Sequence, residues 1–192
     1  MLREPGEIAA WLAALPVAAL AGLDLEVRAC AEDLVPLGTG DAGRLSRLPQ
    51  AWAPLGLMSM APDGRVREAA VRALAALEER EIPFLVLRAN DWVPQVRTRA
   101  LTALRERLVI GRAADFVAAL PLVIGLRGRA RHDHAAFVGE VTSLLADDRF
   151  ADGLRAGCSS PDRETRRACY RIAPARPAMR AAALASTDTM LR

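Results

Sequence analysis

Asp63-Gly64-Arg65-Val66-Arg67-Glu68-Ala69-Ala70-Val71-Arg72-Ala73-Leu74 carries the clearest helical signal in the chain. Val66, Ala70 and Leu74 recur at i, i+4 and i+8, so they line one face of a helix. Asp63 stands where a helix begins. There its carboxylate can take free backbone N–H groups and meet the positive end of the helix dipole.

The pattern returns elsewhere in the chain. Asp91-Trp92-Val93-Pro94-Gln95-Val96-Arg97-Thr98-Arg99-Ala100, running on to Leu104, repeats it with two residues added after the Asp. Asp24-Leu25-Glu26-Val27-Arg28 and Asp162-Arg163-Glu164-Thr165-Arg166 are further copies, and Asp188 to Arg192 begins a fifth. Between Arg28, Arg67, Arg97, Arg166 and Arg192 the steps are 39, 30, 69 and 26 residues. The longest step is about twice the others, so a diverged unit is expected inside it, with its second helix over His134 to Leu145. The first helix of each pair is expected at Glu7 to Leu20, Gln50 to Met60, Glu81 to Ala89, Phe150 to Gly157 and Arg176 to Ala185. Pro16, Pro54 and Pro83 then fall within or at the start of first helices. The arginine after the first apolar residue can reach the Asp of a neighbouring turn, building a ladder between units. A two-helix unit cannot bury its apolar face alone, whereas stacked neighbours can.

Composition agrees with an all-α chain. Hydrophobic residues make up 52% of the 192 residues and aromatics only 4%. The 39 Ala and 27 Leu are strong helix formers, and small Ala side chains let helices approach closely.

Residues 63–74 and 90–104 resemble HEAT repeats of the bacterial type, on Asp63, Val66, Arg67, Ala70, Ala73 and Leu74, and again on Asp91, Val96, Arg97, Ala100, Ala103 and Leu104. The resemblance weakens at 24–31 and 162–173 and is not visible at 108–150. It implies a right-handed α-solenoid of about five stacked helical hairpins over 1–192. The unfinished unit at Asp188 suggests an N-terminal piece of a longer array. The family serves mostly as adaptors and scaffolds, so the resemblance implies a non-catalytic chain that holds a protein partner on its concave face. Separately, the three cysteines Cys30, Cys158 and Cys169, odd in number and with no CxxC pair, point to free thiols in a reducing cytoplasm.

All 26 basic residues are arginine. A GC-rich genome or selection for bidentate contacts to carboxylate and phosphate would each produce this. The formal net charge of +3 is too small to imply nucleic acid by itself. Residues 149–192, with nine arginines against four acids, are the more basic part. Arg67, Arg97, Arg99, Arg166, Arg167 and Arg171 lie on successive second helices. With Trp92, in the turn before one of them, they are the candidate binding residues. The alternative is a nucleic-acid-binding protein using the same arginines. Asp91-Trp92 echoes the Asp and Trp of HEAT-like DNA glycosylases, but Asp91 already has a structural explanation as a cap. An enzyme subunit such as a HEAT-like bilin lyase would rest on fold analogy alone.

The remaining signals have ordinary readings. His132-Asp133-His134 could hold a metal, but three arginines precede it and a polar helix start accounts for it, so no metal or cofactor is expected. Ser159-Ser160 reads as a capping turn. Glu78-Glu79 and Asp147-Asp148 read as solvated acid pairs. Gly38 to Gly43 lacks the preceding strand of a dinucleotide site and reads as a loop between repeats. Cys30 and Cys169 fall at apolar helix positions, and Trp11 and Trp52 at core-like spacing. Ile8 to Leu23 is nearly all apolar, but its leader carries Glu4 and Glu7 against one Arg, and a buried first helix is expected there.

Overall fold

A computed structural model describes residues 4–30, 37–129 and 133–172. The described residues are helical and contain no strand. They fall into two compact units, one up to Arg105 and one from Glu106 onward.

In the first unit the helices are α1 (Pro5–Ala14), α2 (Leu20–Ala29), α3 (Asp41–Leu45), α4 (Trp52–Met58), α5 (Gly64–Leu74), α6 (Ile82–Arg88) and α7 (Pro94–Glu106, whose last residue falls in the second unit). The second unit contains α8 (Ala113–Gly125), α9 (Ala135–Leu145), α10 (Ala151–Cys158) and α11 (Arg163–Ile172).

Three helix–turn–helix segments, hairpins by their order in the chain, share one frame. Their first helices begin at Trp52, Ile82 and Ala151, and their second helices begin twelve residues later, at Gly64, Pro94 and Arg163. Leu55, Leu85 and Leu154 occupy one equivalent position, and none is exposed to solvent. Val66, Ala70 and Leu74 on α5 are buried, and so are Val96, Ala100 and Leu104 on α7. The apolar stripes therefore form the core, as their spacing predicts.

The arginine of the motif closes each turn. Arg67 Nη1 donates to the carbonyls of Ala61 and Pro62 at 3.0 and 2.7 Å. Arg166 Nη1 donates to those of Ser160 and Pro161 at 2.7 and 2.8 Å. Arg97 Nη1 donates to the Asp91 carbonyl at 2.9 Å. The acceptors lie five or six residues upstream, where the first helix has ended and its carbonyls lack helical partners.

Several expectations need correction. Pro16 divides the first apolar stretch into α1 and α2, which meet across a 110° bend. Asp24 consequently lies inside α2, where it meets Arg28 one turn on, and caps nothing. Gly38 to Gly43 is not wholly loop, because α3 begins at Asp41, whose carboxylate accepts from the Gly38 N–H at 2.8 Å. Cys30 is exposed at the end of α2, and Trp11 is 40% exposed, so neither is a core residue. Trp52 is buried and packs tilted against Phe84 at 6.2 Å between ring centres. Within the long step, α9 begins one residue after His134, as expected. The segments Arg176 to Ala185 and Asp188 to Arg192 lie outside the described residues.

The frame also corrects the reading of Asp91. Val93 fills the position that Asp63 and Asp162 hold, and Asp91 sits two places earlier, where the other hairpins have Ala61 and Ser160. Nothing has been inserted after Asp91; the acid has moved. Asp63 Oδ1 accepts from the Arg65 N–H at 2.8 Å, and Asp162 Oδ2 from the Thr165 N–H at 2.7 Å. Both caps are as predicted, whereas Asp91 does something else.

Candidate binding site

The middle hairpin departs from the shared frame at four nearby positions. Arg88, Asp91, Trp92 and Val93 stand where the first hairpin has Met58, Ala61, Pro62 and Asp63 and the last has Gly157, Ser160, Pro161 and Asp162. Two hairpins form without an arginine, an acid or a tryptophan at the first three of these places, and keep their Asp at the fourth. The frame therefore does not require them, and the departures mark a local specialisation.

Asp91 is the hub of a buried charge cluster and is only 3% exposed. Arg67 Nε donates to Asp91 Oδ2 at 2.8 Å, and Arg67 Nη2 donates to Oδ1 at 2.9 Å. This is the bidentate geometry that a planar guanidinium makes with a carboxylate. Arg88 Nη1 donates to Asp91 Oδ2 at 3.2 Å, and the Val93 N–H donates to Oδ1 at 3.0 Å. Arg28 Nη2 approaches Asp91 Oδ2 to 3.7 Å. Asp24 supplies a second carboxylate, paired with both Arg28 and Arg88. Three guanidiniums thus share two carboxylates, and the cluster carries one surplus positive charge. The Arg88 Nε is buried without a hydrogen-bond partner among the described residues.

Burial alone would push the Asp91 carboxyl up. The Arg67 hydrogen bond, the Val93 N–H and the charges of Arg67 and Arg88 outweigh it and hold the group below the usual carboxylate range. Burial pulls the Arg88 guanidinium down and Arg28 adds to this, while Asp24 and Asp91 oppose it.

Trp92 stands over this cluster. Its ring lies 5.6 Å from the Arg67 guanidinium carbon, yet the residue is 61% exposed. One side of the indole faces a cation that is itself tied down, because Arg67 is buried and hydrogen-bonded to Asp91, Ala61 and Pro62. Cation–π contacts contribute about 0.5–2 kcal/mol. Most of the ring is left for another surface.

The predicted arginines do not form one face. Arg67 is entirely buried and spends its donors inside the chain, so it supports a surface without belonging to it. Arg97 and Arg166 are half-buried and serve their own turns. Arg99 is exposed, 3.6 Å from Glu68. Arg167 is half-buried against Glu164 at 3.4 Å, and Arg171 is exposed on α11. Sequence reading missed Arg28 and Arg88. The available signal for Arg88 was a lone cation in the apolar stretch Ile82-Pro83-Phe84-Leu85-Val86-Leu87-Arg88.

His132 lies outside the described residues, while His134 is buried at the start of α9. No three of His, Cys, Asp and Glu come together as a metal site among the described residues. No single described helix is long and apolar enough to cross a membrane. Comparison with known proteins finds no matching family model, no matching curated protein and no matching solved structure.

Proposed function

We propose that the hairpins are HEAT-like repeats and that the chain is a non-catalytic, cytoplasmic scaffold that binds a protein partner, with Trp92 as its anchor. The repeated frame at Trp52, Ile82 and Ala151 supports the repeat reading. The observation that carries the binding reading is the exposed indole of Trp92 fixed over buried Arg67. Binding hot spots are rich in tryptophan, and a side chain held before contact loses little entropy on docking. Nothing in the frame needs an aromatic there, since proline serves at positions 62 and 161.

The alternative reading, a glycosylase-like protein, needs a carboxylate that can reach a substrate. Asp91 is buried and both its oxygens are occupied, which weighs against it.

The test is quantitative capture from the native source with three forms of the chain: the parent, Trp92→Ala and Trp11→Ala. At least one protein should be retained by the parent and by Trp11→Ala and lost with Trp92→Ala. If retention is the same for all three, Trp92 is not the anchor. Salt-sensitive retention on DNA that survives Trp92→Ala would favour the nucleic-acid reading.

A further inference from the structure

A groove of about 610 Å³ opens in the second unit, away from the Trp92 cluster in sequence and in composition. Ile124 and Arg127 line it from α8 and the short turn after it, Thr142 and Ser143 from α9, and Arg171 and Ile172 from α11. Most arginines of this unit already have partners. Arg112 meets Asp115, Arg149 meets Asp147, Arg155 meets Asp152 and Arg167 meets Glu164. Arg127 and Arg171 make no ion pair with any described residue, and both are exposed at the groove.

The hydroxyls differ in what they offer. Thr142 Oγ1 donates to the Gly139 carbonyl at 3.0 Å, so its lone pairs remain to accept. Ser143 makes no side-chain hydrogen bond with a described residue and is exposed. The groove thus presents two cations, acceptors for an N–H, and the apolar side chains of Ile124 and Ile172. The C-terminal end of α9 adds about half a negative charge at Ala146, less than the two full positive charges opposite it.

From these features we propose that the groove docks an acidic peptide segment of a protein partner. Side-chain carboxylates would meet Arg127 and Arg171, peptide N–H groups would meet Thr142, and side-chain stems would lie on Ile124 and Ile172. A bare anion would use the arginines and leave the acceptors and apolar surface idle. The volume is within the roughly 300–1,000 Å³ of ordinary ligand sites. An open groove suits a segment that runs through it.

This assignment rests on the scaffold reading, but its test is separate. The 192-residue chain is titrated into fluorescein-labelled hexaglutamate, with hexaglutamine as the neutral control, and anisotropy is read at about 50 mM and about 150 mM salt. Saturable, salt-sensitive binding of hexaglutamate alone is expected. Arg127→Gln with Arg171→Gln should weaken it about tenfold or more, as removal of two charge-assisted contacts implies. Arg149→Gln, an exposed arginine of the same unit, should change it less than about twofold.

Equal weakening by Arg149→Gln, or the absence of saturable binding, overturns the proposal. Inorganic phosphate displacing hexaglutamate at equal concentration overturns the peptide assignment, because it shows that the anion alone is recognised. Failure here leaves capture through Trp92 untouched, and loss of capture through Trp92 leaves this titration untouched.

Discussion

Arg67 and Asp91 stand 24 residues apart in the chain and meet through two hydrogen bonds of 2.8 and 2.9 Å, with both side chains removed from solvent. The contact joins the second helix of one hairpin to the turn of the next. Buried pairs of this kind are costly to break, since removing one partner strands the other charge.

Asp91→Ala should therefore destabilise the chain by about 3–5 kcal/mol, leaving Arg67 and Arg88 without their shared acceptor. Asp63→Ala removes the same side chain from a solvent-exposed helix cap and should cost about 1 kcal/mol. Urea unfolding of the two variants measures the difference. Equal losses would mean that the two acids do the same work, against the assignment of Asp91 as a hub.

The depressed Asp91 carboxyl gives a pH dependence with a defined sign. A carboxyl whose folded pKa lies below its unfolded value stabilises the chain above the unfolded value, about 3.9 for an ordinary Asp. That contribution should be complete near neutral pH and should fall away as pH drops through about 4 toward the lower folded value. Asp91→Asn should be less stable at neutral pH and lose less on acidification. The midpoint of thermal unfolding between about pH 3 and 7 reads both effects. Parallel curves for the two proteins would remove Asp91 from this role.

Gly56 and Gly157 are among the glycines set by close packing. A Cβ on Gly56 would lie 2.6 Å from the Phe84 ring, and one on Gly157 would lie 2.6 Å from Cys169 Sγ and 2.8 Å from Val117. Alanine gains up to about 1 kcal/mol in helix propensity, but overpacking costs about 1–3 kcal/mol and should win. Gly139→Ala, where nothing lies within 4 Å, should be neutral or stabilising and serves as the control. Thermal melts that rank all three alike would contradict this packing.

Leu55, Leu85 and Leu154 hold one position of the repeated frame, and each is fully buried. Each Leu→Ala change should cost about 2–5 kcal/mol. A substitution that costs less than about 1 kcal/mol at one of the three would show that this hairpin does not share the others' packing.

The fold was largely legible because its signal is periodic. Val66, Ala70 and Leu74 advertise a buried helical stripe through spacing alone, and Asp63 and Asp162 announce helix starts through short-range chemistry. The hub was not legible in the same way. Arg28, Arg67 and the Arg88–Asp91 turn come from three places in the chain, and only packing brings these three together. The motif drew Asp91 into the wrong column because an acid before an apolar run looks like a cap, whether it sits at the cap or two residues earlier. Asp24 misled for a related reason: the break at Pro16 set a new helix start upstream of it. Exposure was the least readable property. Trp11 and Trp52 both look like core residues, and only Trp52 is one.

The constant distance between helix starts has an evolutionary consequence. Gln50 and Arg80 share a left-handed backbone, each at φ 55°, two residues before a first helix. Loss or duplication of the thirty-residue block between them would leave every downstream helix in phase. The ion pair would not survive such a change, because Arg67 belongs to one block and Arg88 with Asp91 to the next. It works as a key between adjacent modules: interchangeable in backbone, they are made non-interchangeable by the charge that each expects to find next door.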